Sequence, residues 1–292
     1  MLSRRHLLAA MVLVAASPAA AQERLKVLAT FSILGDLVKN VGGDRVEVST
    51  LVGPDSDAHV YAPSPADARK VADAKVVIAN GLGFEGWMNR LVRASGSKAP
   101  VVVASNGITV RKAGASGEAD PHAWQSAANA KVYVANIRDA LIAADPAGRA
   151  SYQANTAAYL AKLDALDAEI KSAVTAIPAD RRRIISSHDA FGYFQEAYGI
   201  EFIAPQGVST EAEPSARDVA RIIIQIRRLK IPAVFLENVS DPRLMQRIAQ
   251  ETGARIGGKL YSDALTSEKG DARTYIDLMR HNVKQLVTAL AS

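Results

Sequence analysis

Apolar positions in the first third of the chain fall into two alternating patterns. Leu25 to Ala29, Lys75 to Ala79 and Pro100 to Ala104 are short, largely apolar runs, and Val46 to Leu51 sets Val46, Val48 and Leu51 among polar residues, as expected of strands. Between them, Ile33 to Val41, Pro65 to Ala72 and Trp87 to Ala94 repeat their apolar residues at helical spacing, and Gly42-Gly43 marks the end of the first of these. Regular exchange of strand and helix argues for a largely parallel sheet covered on both faces.

The pattern changes at Pro146. From there to Ile177, in a segment rich in Ala, Lys, Asp and Leu, the residues Tyr159, Leu163, Leu166 and Ile170 recur at helical spacing and predict one long helix that Pro178 ends. A second alternating region follows: strand Arg183 to Ser187, helix Ala190 to Tyr198, helix Ala216 to Leu229, strand Ala233 to Leu236, helix Pro242 to Thr252 and a closing helix near Ala272 to Leu290. The fold class is therefore α/β, with two α/β lobes of mainly parallel sheets, 22–145 and 179–292, joined by one long helix across 146–178. Both lobes look built on one plan without a close internal repeat. A single continuous α/β domain is the alternative.

Composition narrows the setting. The 292 residues are 49% hydrophobic and 22% charged, which supports one large core or two modest ones and no long disordered stretch. Residues 1–21 read as a signal peptide cleaved near Ala21: Arg4 and Arg5 open it, Leu7 to Ala16 is almost entirely apolar, and Ala19-Ala20-Ala21 offers small residues for cleavage. Ser17 and Pro18 break the apolar run before it reaches the ~20 residues that a membrane anchor requires. The Arg pair leaves both Sec and twin-arginine export open. With no cysteine there is neither a disulfide nor a thiol for acylation, so the expectation is a freely diffusing periplasmic protein. The net charge of +5 includes Arg4 and Arg5, and the basic clusters Arg181-Arg182-Arg183 and Arg227-Arg228 are short and lack interleaved aromatics. They read as solvated faces and not as a nucleic-acid surface.

Five histidines occur, of which His6 belongs to the signal segment. His59 lies in the turn-rich Gly53-Pro54-Asp55-Ser56-Asp57-Ala58-His59, just past a strand; His188 directly follows an apolar strand; His122 stands in Asp120-Pro121-His122-Ala123-Trp124, before a helical stretch. In open α/β sheets ligands bind beyond the carboxyl ends of the strands, which is where His59 and His188 are expected. His281, beside Arg280 and Lys284 on the closing helix, reads as structural. Three imidazoles and one carboxylate complete a tetrahedral zinc shell at about 2.0–2.2 Å per bond, and Asp263, after an apolar segment of the second lobe, can supply the carboxylate. A ligating imidazole donates its other N–H to an oxygen, for which Asp57, Asp120, Asp189 and Glu237 are candidates.

Six segments carry a specific likeness: Gly53 to Asp67 (GPDSDAHVYAPSPAD), Asn80 to Trp87 (NGLGFEGW), Asp120 to Trp124 (DPHAW), Ser187 to Phe194 (SHDAFGYF), Phe235 to Asn238 (FLEN) and Ser262 to Leu265 (SDAL). In these, the chain resembles the zinc and manganese solute-binding proteins of ABC importers, the ZnuA/TroA-like family, over nearly all of its mature length. The resemblance implies that His59 and His122 from the first lobe and His188 and Asp263 from the second clasp one metal ion between them. It also implies that the long helix is a stiff connector. In manganese-preferring members the position of His188 is typically glutamate, so a third imidazole implies zinc, manganese remaining the alternative. Two features depart from the pattern: the segment Arg111 to Ala119 (RKAGASGEA) lacks the His-rich loop of many zinc members, and the disulfide of several members is absent.

The function expected is periplasmic capture of a divalent transition metal, zinc as the transported ligand with Mn2+ as the alternative, and its delivery to an importer. The partner implied is the membrane permease of a metal ABC importer, with the chain acting as a monomer; a metal-loading chaperone is left open. A zinc-dependent hydrolase, the reading in which Asp263 acts as a base, lacks both an H-E-x-x-H pair and a G-x-S-x-G elbow. A binder of small organic solutes would need a sizeable apolar cleft.

Overall fold

The four strands expected in the first half pair into one parallel sheet in the computed structural model, which describes residues 23–114 and 117–291. The signal segment expected over 1–21 lies outside the described residues. Strands β1 (Leu25–Phe31), β2 (Val46–Val52), β3 (Val76–Ala79) and β4 (Val101–Val103) stand in the order β2-β1-β3-β4, with Leu25 opposite Val46 and Val27 opposite Val76. The last five residues of β1 are all buried, as a strand covered on both faces requires. Helices α1 (Ser32–Gly42), α2 (Pro65–Asp73) and α3 (Met88–Ser95) connect them. The start of α2 is written in its first residues: Ser64 and Asp67 form a reciprocal capping box and Pro65 occupies the first turn. A small hairpin of β5 (Lys112–Ala113) and β6 (Glu118–Ala119) closes the lobe where a short loop was expected.

Two long helices follow, α4 (Ala127–Ala144) and α5 (Arg149–Thr175). Only a helical stretch of undefined length was expected after His122, because α4 buries Ala127, Ala130, Tyr133, Val134, Ile137, Ala140, Leu141 and Ile142 around much of its circumference and shows little amphipathic contrast. The linking helix begins three residues later than Pro146. Residues Pro146–Gly148 form a separate 3-10 turn, and Asp145 just before it accepts Arg45 Nη2 and the Tyr152 hydroxyl at 2.8 and 2.7 Å.

The second lobe contains β7 (Arg183–Ile185), α6 (Gly192–Tyr198), β8 (Glu201–Ile203), α7 (Ala216–Leu229), β9 (Ala233–Glu237), α8 (Arg243–Thr252), β10 (Arg255–Leu260) and α9 (Tyr275–Leu290). Its parallel sheet has the order β10-β9-β7-β8. In each lobe, then, the first strand lies between the second and third, with the fourth outside the third, which gives the common plan a concrete form. The sequence reading missed β8, which is only three residues long, and β10, whose Gly257-Gly258 interrupts the apolar pattern. Glycine is required at 257: a Cβ there would stand 2.5 Å from the Phe235 ring.

Helix α5 is not a bare strut. Its stripe Tyr152, Thr156, Tyr159, Leu163, Leu166, Ile170 and Val174 is buried against α1 and α4 on one side and α9 on the other. Asn155 donates to Val41 O at 3.0 Å in the first lobe, while Glu169 receives Arg280 at 2.8 Å in the second. One hydrophobic cluster runs through both lobes, from Leu28 and Phe31 through Tyr133 and Leu163 to Phe235 and Leu278. The lobes are therefore fused along α5. Among the described residues no helix is long and apolar enough to cross a membrane.

Candidate metal centre

Between the carboxyl edges of the two sheets, His59, His122, His188 and Asp263 each bring one donor atom to within 4.8 Å of all the others. His122, His188 and Asp263 are completely inaccessible and His59 is 7% exposed. All four residues singled out from the sequence thus meet at one point. His281 stays apart, bonding Lys259 O at 2.9 Å and pairing with Asp271 at 2.9 Å.

Each donor is delivered by local chemistry. His59 follows β2 in a turn where its own amide N–H donates to Asp57 Oδ1 at 2.8 Å, and His122 repeats the device with Asp120 Oδ1 at 3.0 Å. The two first-lobe histidines are therefore set by the same Asp-x-His turn, a signal visible in the sequence that the motif reading left unused. His188 comes off the end of β7, where Glu237 Oε1 at the end of β9 accepts the amides of Ser187 and His188 at 2.7 and 3.0 Å. Asp263 follows β10 directly, so neighbouring strands deliver both second-lobe donors and the carboxylate behind them.

The donor atoms face one another at 3.3 Å for His59 Nε2 and His122 Nε2. Asp263 Oδ2 lies 3.3 Å from His59 Nε2 and 3.2 Å from His188 Nε2, and Oδ1 lies 3.6 Å from His122 Nε2. A tetrahedron with bonds of about 2.0–2.2 Å has edges of about 3.3–3.6 Å, and these four separations lie close to that range. Both Asp263 oxygens and His188 Nε2 are buried without a hydrogen-bond partner, a costly arrangement that a cation at the centre relieves.

The outer nitrogens decide tautomer and charge. His122 Nδ1 sits 2.8 Å from Asp120 Oδ1 and His188 Nδ1 sits 2.6 Å from Glu237 Oε2, which leaves each Nε2 lone pair directed inward. Burial alone would raise Asp120, but the hydrogen bond from His122 and the charge of Arg111, 3.0 Å away, hold its carboxyl below the usual range. Asp57 plays a different part from the one expected, serving the backbone of His59, and Asp189 makes no hydrogen bond to an imidazole among the described residues. Burial also opposes charge at the centre, yet Glu237 and Asp263 lift His188 well above its ordinary 6.5, while His188 and His122 hold Asp263 well below the usual carboxylate range. With a dication present, Asp263 and Glu237 balance its charge, and Arg111 already neutralises Asp120.

Sequence reading missed several supports. Phe84 packs edge-on to His59 with ring centres 4.7 Å apart, carried by the turn Gly81-Leu82-Gly83. Gly81 has a φ of +84°, and a Cβ there would meet Val103 at 2.4 Å. Glu85 pins that turn, accepting the amides of Asn80 and Gly81 at 2.6 and 3.1 Å and the Thr30 hydroxyl at 2.6 Å. Behind the site, Trp124 Nε1 and Gln125 Nε2 both donate to Ser262 O across the lobes, at 3.0 and 2.7 Å.

Neutralising Glu237 tests the supporting layer. Glu237→Gln is expected to weaken zinc binding by about tenfold to a hundredfold while sparing the fold, as read by competition against a chromophoric chelator.

Comparison with known proteins places the chain in a family. The family model "Zinc-uptake complex component A periplasmic" (ZnuA) matches residues 27–289. The chain is 38% identical over 269 residues to the manganese-binding lipoprotein MntA of Halalkalibacterium halodurans, spanning 92% of this chain and 89% of the relative. It is 36% identical over 270 residues to the iron-binding protein YfeA of Yersinia pestis, spanning 91% and 86%. Among solved structures, the periplasmic zinc-binding protein TroA of Treponema pallidum superposes with a TM-score of 0.88 at 31% identity, covering 92% of this chain and all of that one. Fold and likeness converge, and the chain belongs to the ZnuA family of periplasmic metal-binding proteins that serve ABC importers.

Proposed function

We propose that this protein captures zinc in the periplasm through His59, His122, His188 and Asp263 and presents it to the membrane permease of an ABC importer. The observation that carries the reading is the meeting of three imidazole nitrogens and one carboxylate, all buried, with donor atoms within 4.8 Å of one another. Three nitrogen donors and one carboxylate favour zinc over manganese, because imidazole suits zinc and an all-oxygen octahedron suits manganese. Four protein ligands close the shell and leave no position for an activated water, which supports carriage and not hydrolysis.

One observation favours a second reading. Asp263 turns Oδ1 toward His122 and Oδ2 toward His59 and His188, so that both oxygens can bind and raise the coordination number to five, a geometry open to manganese. The relatives named for manganese and iron weigh on the same side.

Competitive titration with zinc and manganese separates the two. The zinc reading expects one ion per chain and a clear preference for zinc. It also expects His188→Glu to move that preference toward manganese by about tenfold or more, 1.4 kcal/mol of selectivity per decade. A wild-type preference for manganese, or a preference that His188→Glu leaves unchanged, refutes it.

A further inference from the structure

His122 and His188 are each backed by a carboxylate, but among the described residues no hydrogen-bond partner stands at the outer nitrogen of His59. What orients His59 is its backbone, through the amide N–H held by Asp57 Oδ1 at 2.8 Å. The second oxygen of the same carboxylate, Oδ2, accepts the hydroxyl of Thr210 at 2.6 Å from the opposite lobe. The His59 turn is thereby tied to the second lobe at Asp57, beside the ties that Asp55 makes earlier in the turn by donating its amide to Leu265 O at 2.8 Å and accepting the Ser267 amide at 3.1 Å.

Thr210 belongs to a strip anchored beside another ligand. Gln206 forms a parallel bridge to His188, and Gly207 O accepts the Asp189 amide at 3.2 Å. Solvent lies on both flanks of this strip. One flank is a groove of about 640 Å3 whose walls include Asp57, Ser187 and Thr210, and the other a cavity of about 440 Å3 bounded by His59, Phe84 and Val208. Its packing is accordingly thin, and polar ties hold it in place. On the far side of the site the lobes are joined by Trp124 and Gln125 to Ser262 and by the continuous core along α5.

We propose that the Asp57–Thr210 hydrogen bond is a latch between the lobes, and that Thr210 is a positioning residue which keeps His59 on the ion and sets the rate at which the ion leaves. The inference rests on the four-donor reading above. A hydroxyl donating to a carboxylate is a strong, directional bond. When it breaks, the carboxylate that holds the His59 amide loses its tie to the second lobe, and the strip between the two solvent spaces is freed. Release then begins at His59, the ligand without a carboxylate behind it, while His122 and His188 stay aimed.

The test uses the mature chain and two substitutions that leave all four donors intact. Thr210→Val keeps the side-chain shape and removes the donor; Thr210→Ser restores the hydroxyl; Thr210→Ala replaces the valine variant if that does not fold. Zinc-loaded proteins are mixed with excess chelator in a stopped-flow instrument, and cobalt(II)-loaded samples are examined by absorption. The expected result is release about tenfold faster in Thr210→Val and wild-type release in Thr210→Ser, with the intense tetrahedral cobalt(II) bands retained at saturation in both. An unchanged release rate in Thr210→Val overturns the latch. So does accelerated release in Thr210→Ser equal to that of the valine variant, which would trace the effect to packing of the methyl group. Failure of the wild type to take up either metal is a different outcome, and removes the four-donor reading together with the latch.

Discussion

Asp263→Asn is expected to lower zinc affinity by more than about a hundredfold, beyond what loss of a supporting carboxylate costs, because it removes the one anionic donor at the centre. The three inward imidazole nitrogens all converge on this carboxylate, at 3.2, 3.3 and 3.6 Å. It is completely buried, so no water replaces its charge by a small adjustment. Without it the dication meets three neutral rings, and Glu237, one layer further out, is the nearest balancing charge. The substitution conserves size, and core packing should be untouched. Isothermal titration of zinc into wild type and variant, with thermal unfolding of the metal-free forms alongside, reads the two effects apart. Near-wild-type zinc affinity in the variant would show that Asp263 is no ligand.

The second large effect is on pH, where affinity and metal-free stability are expected to run in opposite directions. Zinc needs deprotonated donors, and Glu237 and Asp263 raise His188 well above 6.5, so a proton competes for the site even at neutral pH. Below that raised pKa, zinc affinity should fall about tenfold per pH unit for this one proton. In the metal-free protein the sign reverses. A group whose folded pKa is raised stabilises the fold fully below its unfolded value, here about 6.5, and loses that contribution as pH rises through the folded pKa. Asp263, depressed by His188 and His122, contributes above its ordinary 3.8 and is lost only in strong acid. Asp36, which burial pushes up to about 6, has completed its own destabilising change below neutrality. The metal-free melting temperature should therefore decline from pH 7 toward the raised His188 pKa, while the increment added by zinc grows over the same range. Calorimetric scans with and without zinc at several pH values check this; parallel curves would mean that His188 does not exchange its proton for the ion.

Much of the candidate site was legible because its donors sit where strands end. His188 directly follows the apolar run of β7, and His59 and His122 each lie in an Asp-x-His turn whose chemistry is complete within three residues. The motifs around them, from GPDSDAH to SDAL, carried the family likeness and with it Asp263, a residue that composition alone leaves among thirty acidic side chains. Less was legible where the signal is not local. Helix α4 is buried around too much of its surface to show a stripe, and Gly257 is a glycine because of the distant Phe235 ring. Glu237 and Asp57 were both named as carboxylates for an imidazole, yet one took that role and the other took a backbone amide and a hydroxyl of the opposite lobe.

By itself the sequence determined the local elements and their order, since apolar periodicity, capping residues and turn chemistry act over a few neighbouring residues. It also determined the chemical type of the donors. Only the tertiary structure decided that four side chains from distant stretches of chain bring their donors within 4.8 Å of one another, which outer nitrogen finds a carboxylate and which does not, and that Thr210 reaches Asp57 across a sequence separation of 153. The reason is that donor separation, burial and charge pairing depend on how two packed sheets are set against each other along α5, and that placement belongs to the shared core and not to any one segment.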